Sequence, residues 1–466
     1  MSFNTSPLSH LSRRDFMHRG SMGFGSLALS GFLNQQAQAS SHSPHFQAKA
    51  KHVIFLYMDG GVSHVDSFDP KPLLKKENGQ KPKFKVDATV FNNNGNILAS
   101  PWEFKNRGKS GLPISDLFPR IGSCADDLCV LRSMTAFSAN HPSANYSLHS
   151  GQILAGRPSM GAWASYGLGS ENQDLPSYVV IHGGQVPSGG MQMTGNGFLP
   201  ATHQPSVLHP KGVVLRNINA LEKKVGLQDE KLALLRQIED KLEERRPDSD
   251  LIRAAVQNYE MAYRMQMAVP EVTDVSKEPD HIKKMYGLES SFDNTRTYGA
   301  QCLMARRLVE KGVRFIELTV TTGNGDRWDQ HSNLKQGHEN NARAVDQPIA
   351  ALIKDLKQRG LLESTLLVFA GEFGRTPFAQ GSDGRDHNPQ GFSVWMAGGG
   401  TKGGMTYGAT DEYGYRVTEN KLTVHDLHAN MLHLMGVDHT KQTFRYGGRD
   451  VRLTDVHGEI IPEIMA

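Results

Sequence analysis

The chain alternates short, nearly continuous apolar runs with longer segments of helical periodicity. Residues 52–58 (HVIFLYM) form such a run, and apolar residues on both faces of so short a segment predict a strand buried on both sides. Further strands are predicted at 128–132, 175–181, 313–320, 365–370 and 392–397, and helices at 143–154, 297–311 and 342–360. This alternation predicts an α/β fold with a mostly parallel central sheet and helices on both faces.

Residues 217–267 have a different pattern. They are rich in Leu, Lys, Glu and Arg, with apolar residues such as Leu232, Leu235 and Ile238 at helical spacing. We interpret them as a helical hairpin broken at Pro247, within an insertion at about 217–290. The many charges are typical of a solvated helix face.

The beginning of the chain has the pattern of an export signal. Residues 12–17 (SRRDFM) form a twin-arginine core, a Gly-rich apolar stretch follows, and 37–39 (AQA) give a small-x-small cleavage pattern. The stretch is shorter than the ~20 residues that span a bilayer. The sequence predicts a twin-arginine signal peptide over 1–39 and no stable membrane anchor. We therefore expect the protein to interact with the twin-arginine export machinery and to be located in the periplasm or cell envelope.

We interpret residues 50–466 as one large α/β domain, because no segment resembles a clean linker and single α/β domains with insertions reach that length. A hydrophobic content of 38% and a charged content of 21% are ordinary for globular proteins. The net charge of +3, without basic clusters interleaved with aromatic residues, argues against nucleic-acid binding. Three cysteines cannot form a disulfide framework. Three buried free thiols are the simpler interpretation, with one bridge as the alternative.

Carboxylates and imidazoles follow several of the predicted strands. Asp329 and His331 are two residues apart, so in an extended segment both side chains point the same way. Open α/β sheets bind ligands at the carboxyl ends of their strands, and a divalent ion needs carboxylate oxygens and imidazole nitrogens. Residues of these types occur in four clusters at predicted strand ends, 59–66, 328–331, 371–376 and 384–389, which together predict a divalent metal site.

Some residues in or near these clusters also have a purely structural interpretation. Asp59 could cap an Asp-Gly turn. Glu372 could form an ion pair with Arg375, and such pairs also perturb pKa values. We expect His338 to be a surface residue of a helix rather than a ligand.

Longer motifs resemble a known family. They are MDGGVSHVDSFDPK, WDQH, GEFGRTP, GRDHNPQGFSVWMAGGG, YGATDE and HDLHANMLHLMG. With them the chain resembles the exported sulfatase-like proteins of the alkaline phosphatase superfamily, and more narrowly a large bacterial family of unknown function within it. The similarity covers nearly all of the chain from about residue 51.

The resemblance implies a site for two divalent metal ions, and it does not distinguish Zn, Ca, Mg and Mn. Asp59 matches the first ligand of the superfamily, and Asp329 and His331 match a pair from one loop. Glu372 matches the first member of a late pair, and His387 matches the final histidine. Asp386 is a ligand or supports one.

Two departures from the family pattern concern catalysis. Phe373 stands where the late pair has a histidine, and His141 stands where sulfatases have the cysteine that becomes formylglycine. His141 could therefore be a metal ligand, a covalent group or an acid-base group. Ser138 and Ser143 are the nearest hydroxyls in sequence.

Two functions follow from these features. The first is a metal-dependent hydrolase of a phosphate or sulfate ester, whose substrate is an anionic small molecule or a sulfated or phosphorylated glycan. Arg375 or Arg385 would neutralise that anion through a bidentate guanidinium contact. The alternative is a non-catalytic, metal-containing protein that binds an anionic polysaccharide or a partner at the cell envelope.

Overall fold

The computed structural model describes residues 43–211, 214–215, 226–245, 250–320 and 327–466. Its strands are β1 (His52–Tyr57), β2 (Asn94–Ile97), β3 (Phe104–Arg107), β4 (Leu112–Ser115), β5 (Leu128–Met134), β6 (Tyr178–Ile181), β7 (Ser206–Leu208), β8 (Phe315–Thr319), β9 (Thr365–Ala370), β10 (Gly374–Gln380), β11 (Gly384–Asn388), β12 (Phe392–Ala397), β13 (Met405–Tyr407), β14 (Ala409–Thr410), β15 (Val417–Glu419), β16 (Phe444–Tyr446) and β17 (Arg449–Val451). Its helices are α1 (Pro72–Lys76), α2 (Pro119–Gly122), α3 (His141–Ser150), α4 (Met160–Leu168), α5 (Leu227–Arg245), α6 (Asp250–Thr273), α7 (Asp280–Met285), α8 (Asp293–Glu310), α9 (Leu334–Gln358) and α10 (Val424–Leu434).

An eight-stranded sheet forms the centre of the molecule, in the order β13-β5-β12-β9-β1-β8-β6-β7. Strand β1 pairs in parallel with β9 on one side and with β8 on the other. Strand β12 alone runs antiparallel, against both β5 and β9. The structure thus confirms the predicted fold class, an α/β fold with a mostly parallel central sheet.

The two faces of strand β1 pack into two different apolar clusters. Ile54 and Leu56 point into one, and Val53, Phe55 and Tyr57 into the other. Because successive side chains of a strand alternate between faces, a sheet covered on both sides requires a continuous apolar run. The HVIFLYM pattern meets that requirement, and all residues of β1 are buried.

A smaller antiparallel sheet, β11-β10-β2, lies beyond the carboxyl end of β9. Strand β10 starts four residues after β9 ends, so the chain passes directly from the central sheet into the smaller one. Both β10 and β11 consist almost entirely of buried residues although they carry charges. This arrangement brings the GRTP and GRDHN motifs beside the ends of the parallel strands.

Helices α5, α6 and α7 lie in the segment for which an insertion is predicted. The predicted break at Pro247 and the predicted signal peptide over 1–39 lie outside the described residues. The three cysteines are buried and form no disulfide. Across the described parts of the chain, each helix is too short or too polar to cross a membrane.

Candidate metal centre

The candidate site lies where several strands and loops meet at the carboxyl edge of the central sheet. Strand β8 leads toward Asp329 and His331, and β9 leads to Glu372. Helix α3 begins at His141, with Pro142 in its first turn, where a missing backbone N–H has no cost. His387 lies on β11 of the smaller sheet.

Two glycines allow these segments to approach each other. Gly60 follows β1 with φ +108°, and a Cβ there would meet the backbone nitrogens of Trp328 and Asp329. Gly384 opens β11, where a Cβ would collide with the carbonyl of His331. Only glycine fits such close backbone contacts, so both residues fix the position of the Asp329 loop.

Asp329 is the centre of a cluster of three imidazoles. Its Oδ1 lies 2.9 Å from Nε2 of His331 and 3.2 Å from Nε2 of His387. Its Oδ2 lies 3.2 Å from Nε2 of His141. Ligand-type atoms of these four residues all lie within 4.8 Å of one another, which is compact enough to surround one ion.

The orientation of two of the imidazoles favours a cation between them. His387 donates from Nδ1 to the carbonyl oxygen of Ala139 at 2.6 Å, and His331 donates from Nδ1 to the side-chain oxygen of Gln380. Both Nε2 atoms then carry lone pairs, and they face each other at 3.1 Å. Facing lone pairs repel each other unless a cation lies between them, so these residues fit a metal ion.

His141 is held between two carboxylates. Its Nδ1 lies 2.5 Å from Oε1 of Glu372, whose two oxygens also accept from the backbone nitrogen of Gly60 at 3.0 and 3.2 Å. Burial alone would lower the pKa of His141, but hydrogen bonds and Coulombic attraction from Asp329 and Glu372 raise it to about 9. Without a metal ion this imidazole therefore carries a proton at neutral pH.

The Asp329 carboxylate is strongly stabilised in its charged form. Burial alone would raise its pKa, but hydrogen bonds that the three histidines donate from Nε2 in their protonated forms, together with the nearby Arg375 charge, hold the pKa far below its usual range. Burial and the Arg375 and His141 charges lower the pKa of His387, although its bond to Asp329 opposes them. A charged carboxylate beside a neutral imidazole is the protonation state that metal ligation needs.

The comparisons with known proteins assign the chain to a family. Residues 50–465 match a family described as "Protein of unknown function (DUF1501)". The chain belongs to the DUF1501 family. No curated protein matches it.

Solved structures resemble this DUF1501 protein only distantly. The lipoteichoic acid synthase LtaP from Listeria monocytogenes is 8% identical, with 89% of this chain and 77% of that one covered and a TM-score of 0.38. The PsFucS1 sulfatase from Pseudoalteromonas sp. is 12% identical, with 89% and 71% covered and a TM-score of 0.37. The alkaline phosphatase from the Antarctic bacterium TAB5 is 10% identical, with 76% and 92% covered and a TM-score of 0.31. Likenesses this distant say nothing about the reaction of the DUF1501 protein.

The two arginines predicted to contact an anionic substrate do not match that role in this DUF1501 structure. Arg375 is fully buried and bonds to the carbonyls of Gly60, Gly61 and Arg385 and to Oδ1 of Asp329 at 2.5 Å. Arg385 is also fully buried and forms a bidentate pair with Asp66 at 2.7 and 3.0 Å. Because both guanidinium groups are occupied by protein acceptors, the prediction is corrected for both. Arg375 orients Asp329, and Arg385 stabilises the fold.

Asp386 and Asp59 lie beside the cluster rather than in it. Asp386 accepts from the backbone nitrogen of His387 at 2.7 Å and from that of Phe91 at 3.4 Å, so it positions a ligand instead of being one. Asp59 forms an ion pair with Arg327 and accepts from the hydroxyl of Tyr57 at 2.9 Å. Asp386 thus has the supporting position that was one of its two predicted roles, and a role of Asp59 as a metal ligand stays a prediction.

His338 differs from its prediction as a surface residue. It is fully buried on α9, where its Nε2 accepts from the backbone nitrogen of Ser63 at 3.4 Å and its ring packs against Trp328. It lies on the inner face of a strongly amphipathic helix, and the polar residues around it in sequence hide that position.

Phe373 and Phe91 give the cluster apolar walls. The Phe373 ring lies 4.8 Å from the ring of His141 and 4.5 Å from that of His387, so an aromatic wall stands where the family pattern has a ligand. The exposed Phe91 ring lies 4.7 Å from that of His331. Both rings reduce the access of water to the imidazoles.

Sequence reasoning missed several residues that build the site. They are Tyr57, Asn145, Arg327 and Gln380. Only Arg327 carried a signal, because it lies directly before the WDQH motif. Amide and hydroxyl partners such as Gln380 have no typical spacing from the histidines that they orient, so a sequence alone does not reveal them.

Proposed function

We propose that this DUF1501 protein is a metal-dependent hydrolase of the alkaline phosphatase superfamily, acting on a phosphate or sulfate ester. The observation that carries the proposal is the facing pair of Nε2 atoms of His331 and His387, 3.1 Å apart and each within 3.2 Å of Oδ1 of Asp329. Charged oxygen and neutral nitrogen donors converge at the sheet edge where α/β proteins bind their ligands. One cation bound there would satisfy both imidazole nitrogens and the carboxylate oxygen at once.

The donor set favours zinc. Three imidazole nitrogens and one carboxylate oxygen, from His141, His331, His387 and Asp329, are available to the ion. Calcium and magnesium prefer all-oxygen sites, whereas zinc is bound by imidazole and carboxylate in catalytic centres. His141 then has the role of a ligand, because Glu372 holds its Nδ1 proton and turns Nε2 toward Asp329.

The other residues orient and enclose this centre. Arg375 holds Oδ1 of Asp329 in place, and Asp386 fixes the backbone of His387. Phe373 excludes water from one side of the imidazoles. A divalent ion bound there supplies Lewis-acid polarisation of the ester. Since the cysteines lie buried in the apolar clusters, formylglycine chemistry is not available, and we propose water as the attacking group.

The proposed substrate is an anionic small molecule or a glycan that carries a phosphate or sulfate ester. The proposed place of action is the periplasm or cell envelope, reached by the twin-arginine pathway. Support for export comes from residues 12–17 and 37–39 of the sequence. Replacing Arg13 and Arg14 together with lysine tests it by cell fractionation, and the variant should stay in the cytoplasm. Equal export of the variant and the unchanged chain would contradict the assignment.

The test of the reaction joins metal content with turnover. The purified full chain is loaded with zinc, desalted and analysed for metal, and its hydrolysis of an aryl phosphate and an aryl sulfate is measured. We expect stoichiometric zinc, hydrolysis of one of the two esters, and loss of both in His331→Ala. His433→Ala is the matched control, because it removes a half-buried histidine outside the cluster.

Three results bear on the two functional hypotheses. A chain that binds no zinc and hydrolyses neither ester contradicts the proposal. Stoichiometric zinc with no turnover of either ester supports the alternative of a metal-containing binding protein. Turnover that survives His331→Ala would place the reaction at another site.

A further inference from the structure

Both oxygens of the Asp59 carboxylate contact protein donors, although Oδ2 has only an ion pair and no hydrogen bond. One oxygen pairs with Nη1 of Arg327, and the other accepts from the hydroxyl of Tyr57 at 2.9 Å and from Nδ2 of Asn145 at 3.3 Å. The second metal ion that the family resemblance implies would need Asp59, Glu372 and His141. Because Arg327 pairs with one oxygen of Asp59, these residues do not fit a second ion while that pair is in place.

The surrounding structure holds the Arg327 side chain in place. Its side chain is only 7% exposed, and Nη2 donates to the carbonyl of Gln185 at 2.7 Å. Its backbone has φ +40°, in the left-handed region that a bulky residue rarely adopts. Backbone strain of this kind persists where the surrounding structure imposes it, and it is concentrated at functional sites.

One donor of this guanidinium remains unused. Among the described residues, Nε of Arg327 has no hydrogen-bond partner although it is buried. A buried donor without a partner is costly, and a ligand that accepts its hydrogen removes the cost. Arg375 and Arg385 cannot take this role, because backbone carbonyls and carboxylates occupy their guanidinium groups.

We propose that Arg327 is the fixed cation of this site: it balances Asp59 in place of a second metal ion and offers Nε to the anionic group of the substrate. The proposal rests on the proposed function and adds the residue that recognises the anion. A guanidinium keeps its charge at any physiological pH and matches phosphoryl or sulfuryl oxygens.

The buried charges of the site agree with a single ion. Asp59 pairs with Arg327 and Asp329 pairs with Arg375, while Glu372 pairs with His141. With neutral histidines this leaves one net negative charge, and one divalent ion changes it to one net positive charge. The site then attracts an anion without a second ion.

The first measurement is the number of zinc ions per chain. The full chain and its Arg327→Gln variant are loaded with excess zinc, desalted and analysed by mass spectrometry of the metal. We expect one ion per unchanged chain and two in Arg327→Gln, because the amide leaves Asp59 without a cation. Two ions in the unchanged chain would overturn the proposal, and so would a single ion in Arg327→Gln.

The second measurement is the affinity of the zinc-loaded protein for inorganic phosphate and inorganic sulfate, by calorimetry. We expect Arg327→Gln to weaken binding about 10- to 100-fold, the range for a hydrogen bond to a charged group. Arg327→Lys should recover part of this loss because it keeps the charge. Unchanged affinity in Arg327→Gln would overturn the proposal.

The matched control is Arg314→Gln. Arg314 is also a buried arginine, but it precedes β8 and bonds to the carbonyl of Gly169 at 3.0 Å, at the opposite edge of the sheet. The Arg314→Gln substitution should change neither zinc stoichiometry nor phosphate affinity.

If circular dichroism shows that Arg327→Gln does not fold, the Asp59→Asn variant tests the proposal instead. Asp59→Asn frees the Arg327 guanidinium, so phosphate should bind more tightly. Unchanged or weaker binding would overturn the proposal.

These outcomes are distinct from failure of the proposed function. That function fails when the unchanged chain binds no zinc or hydrolyses no ester. The role of Arg327 fails when zinc binds at His331 and His387, esters are hydrolysed, and the Arg327 variants behave like the unchanged chain.

Discussion

The charge pair Asp66–Arg385 and the Asp329 cluster lie close together beside the smaller sheet, yet they differ in how completely their polar atoms are satisfied. Arg385 bonds to both oxygens of Asp66 and to the carbonyls of Thr376 and Leu98, and neither side chain of the pair is exposed. Asp329 is about one-third exposed and is surrounded by imidazoles whose free nitrogens face one another. The Asp66–Arg385 pair (the closed pair) therefore supports the fold, whereas the Asp329 cluster (the open cluster) can accept a ligand.

The same contrast appears in two histidines. His141, between the carboxylates of Asp329 and Glu372, has a pKa raised to about 9. His338, buried near Asp66, has a pKa lowered to about 3, because burial and the charges of Arg375 and Arg385 outweigh the carboxylate. Convergence of charged residues is therefore insufficient to identify a site. Solvent exposure and the approach of several ligand-type atoms to one point distinguish the candidate site from the structural pair.

The largest loss of stability is expected for a variant that breaks the closed pair. Asp66→Asn leaves Arg385 charged, buried and without its bidentate partner, so we expect the free energy of unfolding to fall by about 3–5 kcal/mol. Urea denaturation of the metal-free protein measures it. The control is Asp87→Asn, whose exposed pair with Arg416 should contribute at most about 1 kcal/mol. Similar small losses in both variants would show that the closed pair does not stabilise the fold.

The sequence predicts the closed pair and the open cluster unequally. Strands β9 and β12 have the bounds expected from their apolar runs, because burial on both faces leaves a direct trace in the sequence. The loop pair of Asp329 and His331 follows from its spacing. The saturation of Arg375 does not, since its partners include the backbone carbonyls of Gly60 and Gly61, which are the same in every sequence.

Long-range pairs are equally hidden from the sequence. Asp59 meets Arg327, and Asp66 meets Arg385, across most of the domain. Nothing local to either residue indicates its partner, because the partner is selected by strand order in the sheet. The antiparallel direction of β12 is another example, since a buried antiparallel strand has the same apolar run as a parallel one.

The second effect tests the open cluster with its expected ion. Zinc at about 100 times its dissociation constant should raise the free energy of unfolding by about 2.7 kcal/mol, because it binds the folded chain alone. Thermal unfolding with zinc and with a chelator measures the shift. His387→Ala should remove it and His433→Ala should retain it. An equal shift in His387→Ala would mean that zinc binds elsewhere.

The third effect uses the buried histidine beside the closed pair. The pKa of His338 is about 3 in the folded protein and 6.5 for a histidine in the unfolded chain, so the unfolded chain binds more protons between these values. Its contribution to stability is complete above pH 6.5 and is lost as the pH falls, by about 2 kcal/mol between pH 6.5 and 5.

His338→Gln isolates this contribution, because the amide keeps a polar side chain that does not titrate. Urea denaturation of the unchanged chain and the variant, both with a chelator, gives two curves of stability against pH. The curve of the variant should be shallower below pH 6.5. Parallel curves would show that His338 does not remain neutral in the folded protein.

The smallest effect concerns the residue that orients one ligand of the open cluster. Gln380, at the end of β10, accepts the Nδ1 hydrogen of His331 and thereby keeps the lone pair on Nε2. Without it the imidazole can rotate or change tautomer, so Gln380→Ala should weaken zinc affinity about tenfold, or about 1.4 kcal/mol. Competition with a chromogenic chelator measures this change. Gln380→Glu, which keeps an acceptor, should recover the affinity, and Gln336→Ala on exposed α9 surface should leave it unchanged. If Gln380→Ala binds zinc as tightly as the unchanged chain, the orientation of His331 comes from packing against Phe91 instead.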